Sequence, residues 1–191
     1  MLNQLAKDIL EVNRANGFDV TTPEDVNNPL KSIKVVMLIK SEIAEALEAL
    51  RQPGMGNFDE EIADVVIRAL DFVAGLGGDL DAILRPDKRE DPFHGITADE
   101  VAQYISDTEF GIGVKIDKND PVTLLPILAA MDMTTTEMSI SHLESIVNEA
   151  AGLIGLATMM SVIVGFDLEA VIRKKLEANK GRGRMHGGKL F

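Results

Sequence analysis

Residues 31–76 read KSIKVVMLIKSEIAEALEALRQPGMGNFDEEIADVVIRALDFVAGL, and this stretch decides the fold. Apolar residues recur every three or four positions on both sides of an interruption at 52–56, which contains one proline and two glycines. That period is typical of helices with one buried side, and the interruption predicts a turn. We therefore predict a helix over 31–51, a second over about 58–76, and antiparallel packing of the two.

The same helical period covers most of the remaining chain. It predicts further helices over 3–16, over 79–84 with Asp79 as N-cap, over about 98–106, from 121 to about 131, over about 136–164, and from 167 to about 180. Residues 110–116 alternate like a strand, but they contain two glycines and have no evident partner, so we interpret them as a loop. The sequence predicts an all-α protein.

The helical spacing also predicts which side chains form the core. We expect these residues to point inward: Leu5, Ile9 and Val12 in the first helix; Ile39, Ile43, Ala46, Leu47 and Leu50 in the second; Ile62, Val65, Val66, Ala69 and Val73 in the third.

The composition excludes several classes of protein. Of the 191 residues, 46% are hydrophobic and 26% are charged, which is ordinary for a globular domain and wrong for a disordered chain. The absence of Cys excludes disulfides, thiol catalysis and cysteine-ligated metals, and it is consistent with a reducing compartment. We expect no signal peptide, and we interpret the apolar stretch 150–166 as a buried helix rather than a membrane span. These features predict a cytoplasmic protein.

Charge is distributed unevenly along the chain. Seven of the 19 Lys and Arg residues but only one of the 31 acids follow Ile172, so residues 173–191 carry +6 and residues 1–172 carry −18. An acidic body repels a phosphate backbone, and the chain has no Trp and one Tyr for base stacking. We therefore expect no nucleic-acid polymer as a partner. A small anion remains open if divalent cations join it to the acids.

Two pairs of acids lie in the predicted hairpin. Glu42 and Glu45 are three residues apart, as are Glu61 and Asp64, so each pair lies on one helical face. Four facing carboxylates repel and raise one another's pKa unless cations lie between them, and oxygen-only ligands favour Mg²⁺ or Mn²⁺ over zinc. The alternative is that both pairs are solvated surface acids.

The basic tail contains a third pattern. Lys175, Asn179 and Arg182 read K-x-x-x-N-x-x-R, and His186-Gly187 follows. Cations and an amide donor on one side suit phosphate oxygens. The alternative is a basic terminus that serves solubility.

Together these patterns resemble the all-α NTP pyrophosphatase superfamily of MazG-like and dimeric dUTPase-like enzymes. That family's ExxE, spacer and ExxD are similar to Glu42-Ile43-Ala44-Glu45 and Glu61-Ile62-Ala63-Asp64, and its KxxxNxxR and HG are similar to the tail pattern. The chain departs from the family at Ser41, where a Glu is common, and at Gly183, where a proline is common.

The resemblance implies a four-helix-bundle-type core and a Mg²⁺-dependent enzyme, with Mn²⁺ as a substitute. Such enzymes cleave a nucleoside triphosphate between the α- and β-phosphates. The resemblance implies that the catalytic, metal-binding residues are Glu42, Glu45, Glu61 and Asp64. It implies that the phosphates contact Lys175, Asn179 and Arg182. It also implies that the base lies near Asn13, Asn16 and Phe18.

The chain also contains a faint internal repeat, in which 61–83 overlays 149–171 with Gly77 on Gly165 but Asp64 on Gly152. We therefore predict a metal-binding helical half over 1–84, a linker over 85–97, and a degenerate copy with the basic tail over 98–191, the two halves sharing one core. Dimerisation with a second copy of the chain stays open.

Three other interpretations compete with this one. The first is a helical relative that has lost catalysis and binds nucleotides or proteins. The second, a di-iron carboxylate protein, requires Glu-x-x-His pairs, and neither Glu42 nor Glu61 has a His three residues later. The third makes the tail a nucleic-acid arm, which would give salt-dependent affinity for DNA or RNA.

Overall fold

The computed structural model describes residues 2–84, 120–138 and 142–181. Every regular element in these ranges is helical, so the all-α prediction is confirmed. Three short 3₁₀ helices lie at Pro23–Asn27, Pro53–Met55 and Pro121–Leu124. The described ranges also contain seven α-helices: α1 (Leu2–Ala15), α2 (Pro29–Leu50), α3 (Phe58–Leu76), α4 (Leu80–Leu84), α5 (Leu125–Met138), α6 (Leu143–Val164) and α7 (Leu168–Lys180).

The α2–α3 hairpin forms as the sequence predicts. Asn28 caps α2 by accepting a hydrogen bond from the Lys31 amide, and Pro29 occupies the first turn, where its missing N–H has no cost. Gly54 in the connecting 3₁₀ helix has φ +67°, a conformation that glycine adopts without strain. Because Glu42 contacts Arg68 while Glu45 approaches Glu61, the two helices run antiparallel.

Helix α3 lies at the centre of the molecule. It packs against α1, α2, α6 and α7. Its apolar residues point in more than one direction, and 13 of its 19 residues are buried, so neighbours cover it on several sides. All five inward-facing residues predicted for this helix are at most 1% exposed.

Two predictions about the helices are wrong. The expected continuous helix over 136–164 is divided, because α5 continues to Met138 and α6 begins only at Leu143, after His142 in an extended conformation (φ −73°, ψ 163°). Helices α5 and α6 pack against each other. Leu47 is 39% exposed, because it lies about 100° around the helix from the buried Ala46, at the edge of the core face.

The two proposed halves end their long helices alike. Gly77 after α3 and Gly165 after α6 both have left-handed backbones, with φ +78° and +90°. Asp79 and Asp167 then accept hydrogen bonds from the amides of the next helices. The predicted linker 85–97, the helix over about 98–106 and the loop 110–116 lie outside the described residues, and duplication stays a prediction.

Helix α6 is long and apolar enough to cross a membrane by length and composition. Of its most apolar 18-residue window, however, 67% is buried inside the protein. The core helix of a soluble protein has the same features, so this helix is weak evidence for a membrane.

Candidate functional site

Helices α2 and α3 bring three of the predicted site residues together. Carboxylate oxygens of Glu42, Glu45 and Glu61 all lie within 4.8 Å of one another. Glu42 and Glu61 are buried, at 9% and 8% exposed, whereas Glu45 is exposed at the margin. The three-residue spacing on α2 and the antiparallel hairpin are sufficient to produce this convergence.

The fourth acid, Asp64, lies one turn after Glu61 on α3 and is engaged by a cation. Its Oδ2 is 2.6 Å from Nζ of Lys175 on α7. The same ammonium donates a hydrogen bond to the backbone carbonyl of Glu60 at 3.1 Å. Lys175 is therefore fixed between two acceptors, beside the three clustered glutamates.

Arg68 provides a second internal cation that the sequence did not assign to any partner. Its Nε and Nη2 donate to Oε1 of Glu42 at 3.2 and 3.1 Å. Asn57, just before α3, donates to Oε1 of Glu61. Two of the three clustered acids thus have one oxygen held in place by a neighbouring side chain.

The electrostatics of the cluster follow from burial and crowding. Burial raises the pKa of Glu42, Glu61 and Asp64 above their usual values. The acids add to this effect, since the charge of Asp64 raises the pKa of both Glu42 and Glu61. Arg68 and Lys175 oppose it. The cluster therefore has too much negative charge for the cations that it contains, and a further cation would relieve the repulsion.

The tail pattern is only partly described. Lys175 lies at the acidic cluster, and the partly buried Asn179 lies one turn further along α7. The backbone carbonyl of Asn179 accepts a hydrogen bond from the side chain of Asn16 at 3.0 Å, so Asn16 joins the end of α1 to the end of α7. Arg182 and His186-Gly187 lie outside the described residues. Phe18 is 39% exposed.

The donor set fits a small divalent cation. All donors are carboxylate oxygens, which Mg²⁺ prefers. The three oxygens lie close enough together for one small cation to contact all of them. Exposed acids are common without a metal, but here two of the three are buried. Comparison of the chain with protein-family models, curated proteins and solved structures finds no match.

Proposed function

We propose that the protein is a Mg²⁺-dependent nucleoside triphosphate pyrophosphohydrolase, which releases pyrophosphate and leaves a nucleoside monophosphate. The observation that supports this most is the convergence of Glu42, Glu45 and Glu61 beside Lys175. Anionic oxygens that hold a divalent cation, next to an ammonium that can contact phosphate, form the basic requirement for phosphoryl transfer. Mn²⁺ serves as a substitute cation.

The four acids hold the cation, and the chain supplies the rest of the geometry. When bound, Mg²⁺ neutralises the polyphosphate and makes a coordinated water more acidic. Arg68 and Asn57 fix the orientation of Glu42 and Glu61 and so reduce the reorganisation needed on binding. Lys175, Asn179 and Arg182 contact phosphate or sugar oxygens, and the acidic body discourages a longer polyanion. The substrate is thus a free nucleotide, which suits a cytoplasmic protein.

Pyrophosphate release from a panel of nucleoside triphosphates, with Mg²⁺, with Mn²⁺ and with EDTA, tests the proposal. We expect Glu61→Gln to lower kcat at least about a hundredfold, because it removes a buried anionic ligand while keeping the side-chain shape. Helical circular dichroism should be unchanged. Glu48→Gln is the matched control on α2, because Glu48 is exposed and pairs only with Arg51 among the described contacts. Normal activity of Glu61→Gln would show that the site is assigned wrongly.

The internal ion pairs favour a second candidate, a helical relative that has lost catalysis. Arg68 on Glu42 and Lys175 on Asp64 already neutralise part of the cluster without a metal. Such a protein would release no pyrophosphate from any nucleotide, and Mg²⁺ would leave its melting temperature unchanged. Turnover that EDTA abolishes would exclude it.

A further inference from the structure

Arg68 on α3 has hydrogen-bond donors that its partner does not use. Its Nε and Nη2 both donate to one oxygen, Oε1 of Glu42. A guanidinium has five N–H donors, so both donors of Nη1 and the second of Nη2 have no partner among the described residues. Nη1 is open to solvent, because the only unpartnered side-chain polar atom shielded from solvent in the described ranges is Oδ1 of Asp71.

Glu42 holds this guanidinium beside the acidic cluster. Nη2 of Arg68 lies 3.1 Å from Oε1 of Glu42. An oxygen of Glu42 in turn lies within 4.8 Å of oxygens of Glu45 and Glu61. On α3, Arg68 also follows Asp64 by one helical turn. The open donors of Arg68 therefore belong to the same site as the acids.

The ion pair of Arg68 differs from those of the surface arginines. Arg51 and Arg173 have side chains that are 70% and 58% exposed, and each pairs with a glutamate three or four residues earlier in the chain. Arg68 is 38% exposed and joins α3 to a buried acid of α2. Its two hydrogen bonds fix the planar fork before a ligand arrives, so less side-chain entropy is lost on binding.

A fixed guanidinium at this place suits the proposed reaction, because its planar fork of donors matches the oxygens of a phosphate group. In that reaction water adds to one phosphorus, and the anhydride bond between the α- and β-phosphates breaks. The electron pair of that bond stays on the departing phosphate oxygen, and the proton of the water passes to solvent. A cation in contact with the phosphates stabilises the charge as it develops.

We propose that Arg68 contacts the polyphosphate directly, donating from Nη1 and Nη2 to phosphate oxygens while Glu42 holds the guanidinium in place. This inference rests on the proposed function. It makes Arg68 a catalytic residue in addition to its support of Glu42. The site then has two cations for the phosphates within the described residues, Arg68 from α3 and Lys175 from α7.

The test compares Arg68→Gln and Arg68→Lys with the wild-type protein. At saturating Mg²⁺, calorimetry measures the affinity for a triphosphate analogue with a methylene group between the α- and β-phosphates, and for the corresponding monophosphate. Binding of Mg²⁺ to the protein alone, kcat and the melting temperature are measured separately. Arg51→Gln is the control, since Arg51 pairs with Glu48 alone among the described residues.

We expect Arg68→Gln to bind the analogue about tenfold to a hundredfold more weakly, because hydrogen bonds between charged groups are lost. The loss for the monophosphate should be smaller, because it offers fewer acceptor oxygens, and kcat should fall about a hundredfold. Arg68→Lys should keep the Mg²⁺ affinity, since its ammonium still pairs with Glu42, but should lose part of the preference for the analogue because it has no fork. Arg51→Gln should match wild type.

A loss confined to Mg²⁺ affinity, with wild-type analogue binding and kcat at saturating Mg²⁺, would overturn the inference, because Arg68 would then only position Glu42. Equal losses for the analogue and the monophosphate, with a lower melting temperature, would also overturn it. If Arg68→Gln does not fold, an unchanged preference for the analogue in Arg68→Lys decides against the inference.

The same measurements separate this inference from the proposed function. If the wild type binds the analogue but cleaves no nucleotide, and Arg68→Gln weakens that binding, the phosphate contact stands and the proposed enzyme activity fails. If the wild type cleaves nucleotides and both Arg68 variants behave like wild type, the inference alone fails. If the wild type neither binds nor cleaves any nucleotide, both fail.

Discussion

At the scale of single residues, Lys175 has two partners that compete for it. The ammonium is 2.6 Å from Asp64, yet the proposed function also requires it to contact phosphate. Both groups are only partly exposed, at 20% and 27%, so their interaction is weakly screened. Lys175 is thus the counter-ion of Asp64. Under the proposed function, a metal that binds Asp64 would free the lysine for the polyphosphate.

Lys175→Met should therefore change two affinities in opposite directions. Mg²⁺ binding to the protein alone should become about fivefold tighter, because a competing pair worth roughly 1 kcal/mol is lost. Binding of a nonhydrolysable triphosphate should become weaker, because a phosphate contact is lost. Isothermal titration calorimetry measures both.

Lys174→Met is the control for this pair of measurements, since Lys174 is 77% exposed and, among the described residues, forms an ion pair with Glu60 alone, at 3.6 Å. It should leave both affinities close to wild type. A decrease in both affinities in Lys175→Met would mean that the lysine supports the metal site and does not compete with the metal.

The sequence predicted that the acids of α2 and α3 face one another, but not which cations pair with them. Spacing alone places Glu42 and Glu45 on one face, and the hairpin then brings Glu61 to them, because all three depend on local geometry. The contact of Lys175 with Asp64 joins residues far apart in the chain and depends on how α7 packs on α3, which no local pattern encodes.

At the scale of elements, the loop after α1 lies directly on the last turn of α3. The hydroxyl of Thr21 donates to the carbonyl of Phe72 at 3.3 Å. A Cβ atom added to Gly75 would lie 2.0 Å from Oγ1 of Thr21 and 2.6 Å from its backbone oxygen. The absence of a side chain at Gly75 is therefore what allows this contact.

Gly75→Ala should lower the free energy of unfolding by about 1–3 kcal/mol, because the loop must move away from the helix. That loss exceeds the gain of about 1 kcal/mol that alanine normally gives inside a helix. Gly155→Ala in α6 is the matched control. Nothing lies within 4 Å of its Cβ position, so it should be neutral or stabilising. Chemical denaturation measures both, and equal stabilisation by the two substitutions would contradict the contact.

The ends of a helix were predictable where glycine or proline residues interrupt the helical pattern. Glycines and a proline bound α3, and its observed range matches the prediction. The break between α5 and α6 contains neither residue type, since 139–142 reads Ser-Ile-Ser-His. The division into two helices therefore depends on how α5 and α6 pack against each other and not on a local helix breaker.

At the scale of the whole molecule, the buried acids couple stability to pH. The pKa values of Glu42, Glu61 and Asp64 are raised in the folded state, chiefly by burial. Their contribution to stability is therefore fully present below the pKa of the unfolded chain and is lost as pH rises through the raised pKa values.

We expect the protein in EDTA to lose stability as the pH rises above about 4, the ordinary pKa of these acids, and Mg²⁺ to restore more of it at pH 7.5 than at pH 5. The reason is that protons and Mg²⁺ compete for the same carboxylates. Thermal denaturation across this range measures the effect, and Glu61→Gln should reduce the Mg²⁺ increment. An increment that does not vary with pH would place the cation elsewhere.

The central position of α3 also determines how the protein would fail under heat. Glu61 and Asp64 are attached to the helix with the most neighbours, and no hinge or lid carries them. Their separation from Glu42 would require the interior itself to come apart. Thermal inactivation and global melting would consequently coincide as one event, unlike the early inactivation typical of catalytic groups on loosely held loops.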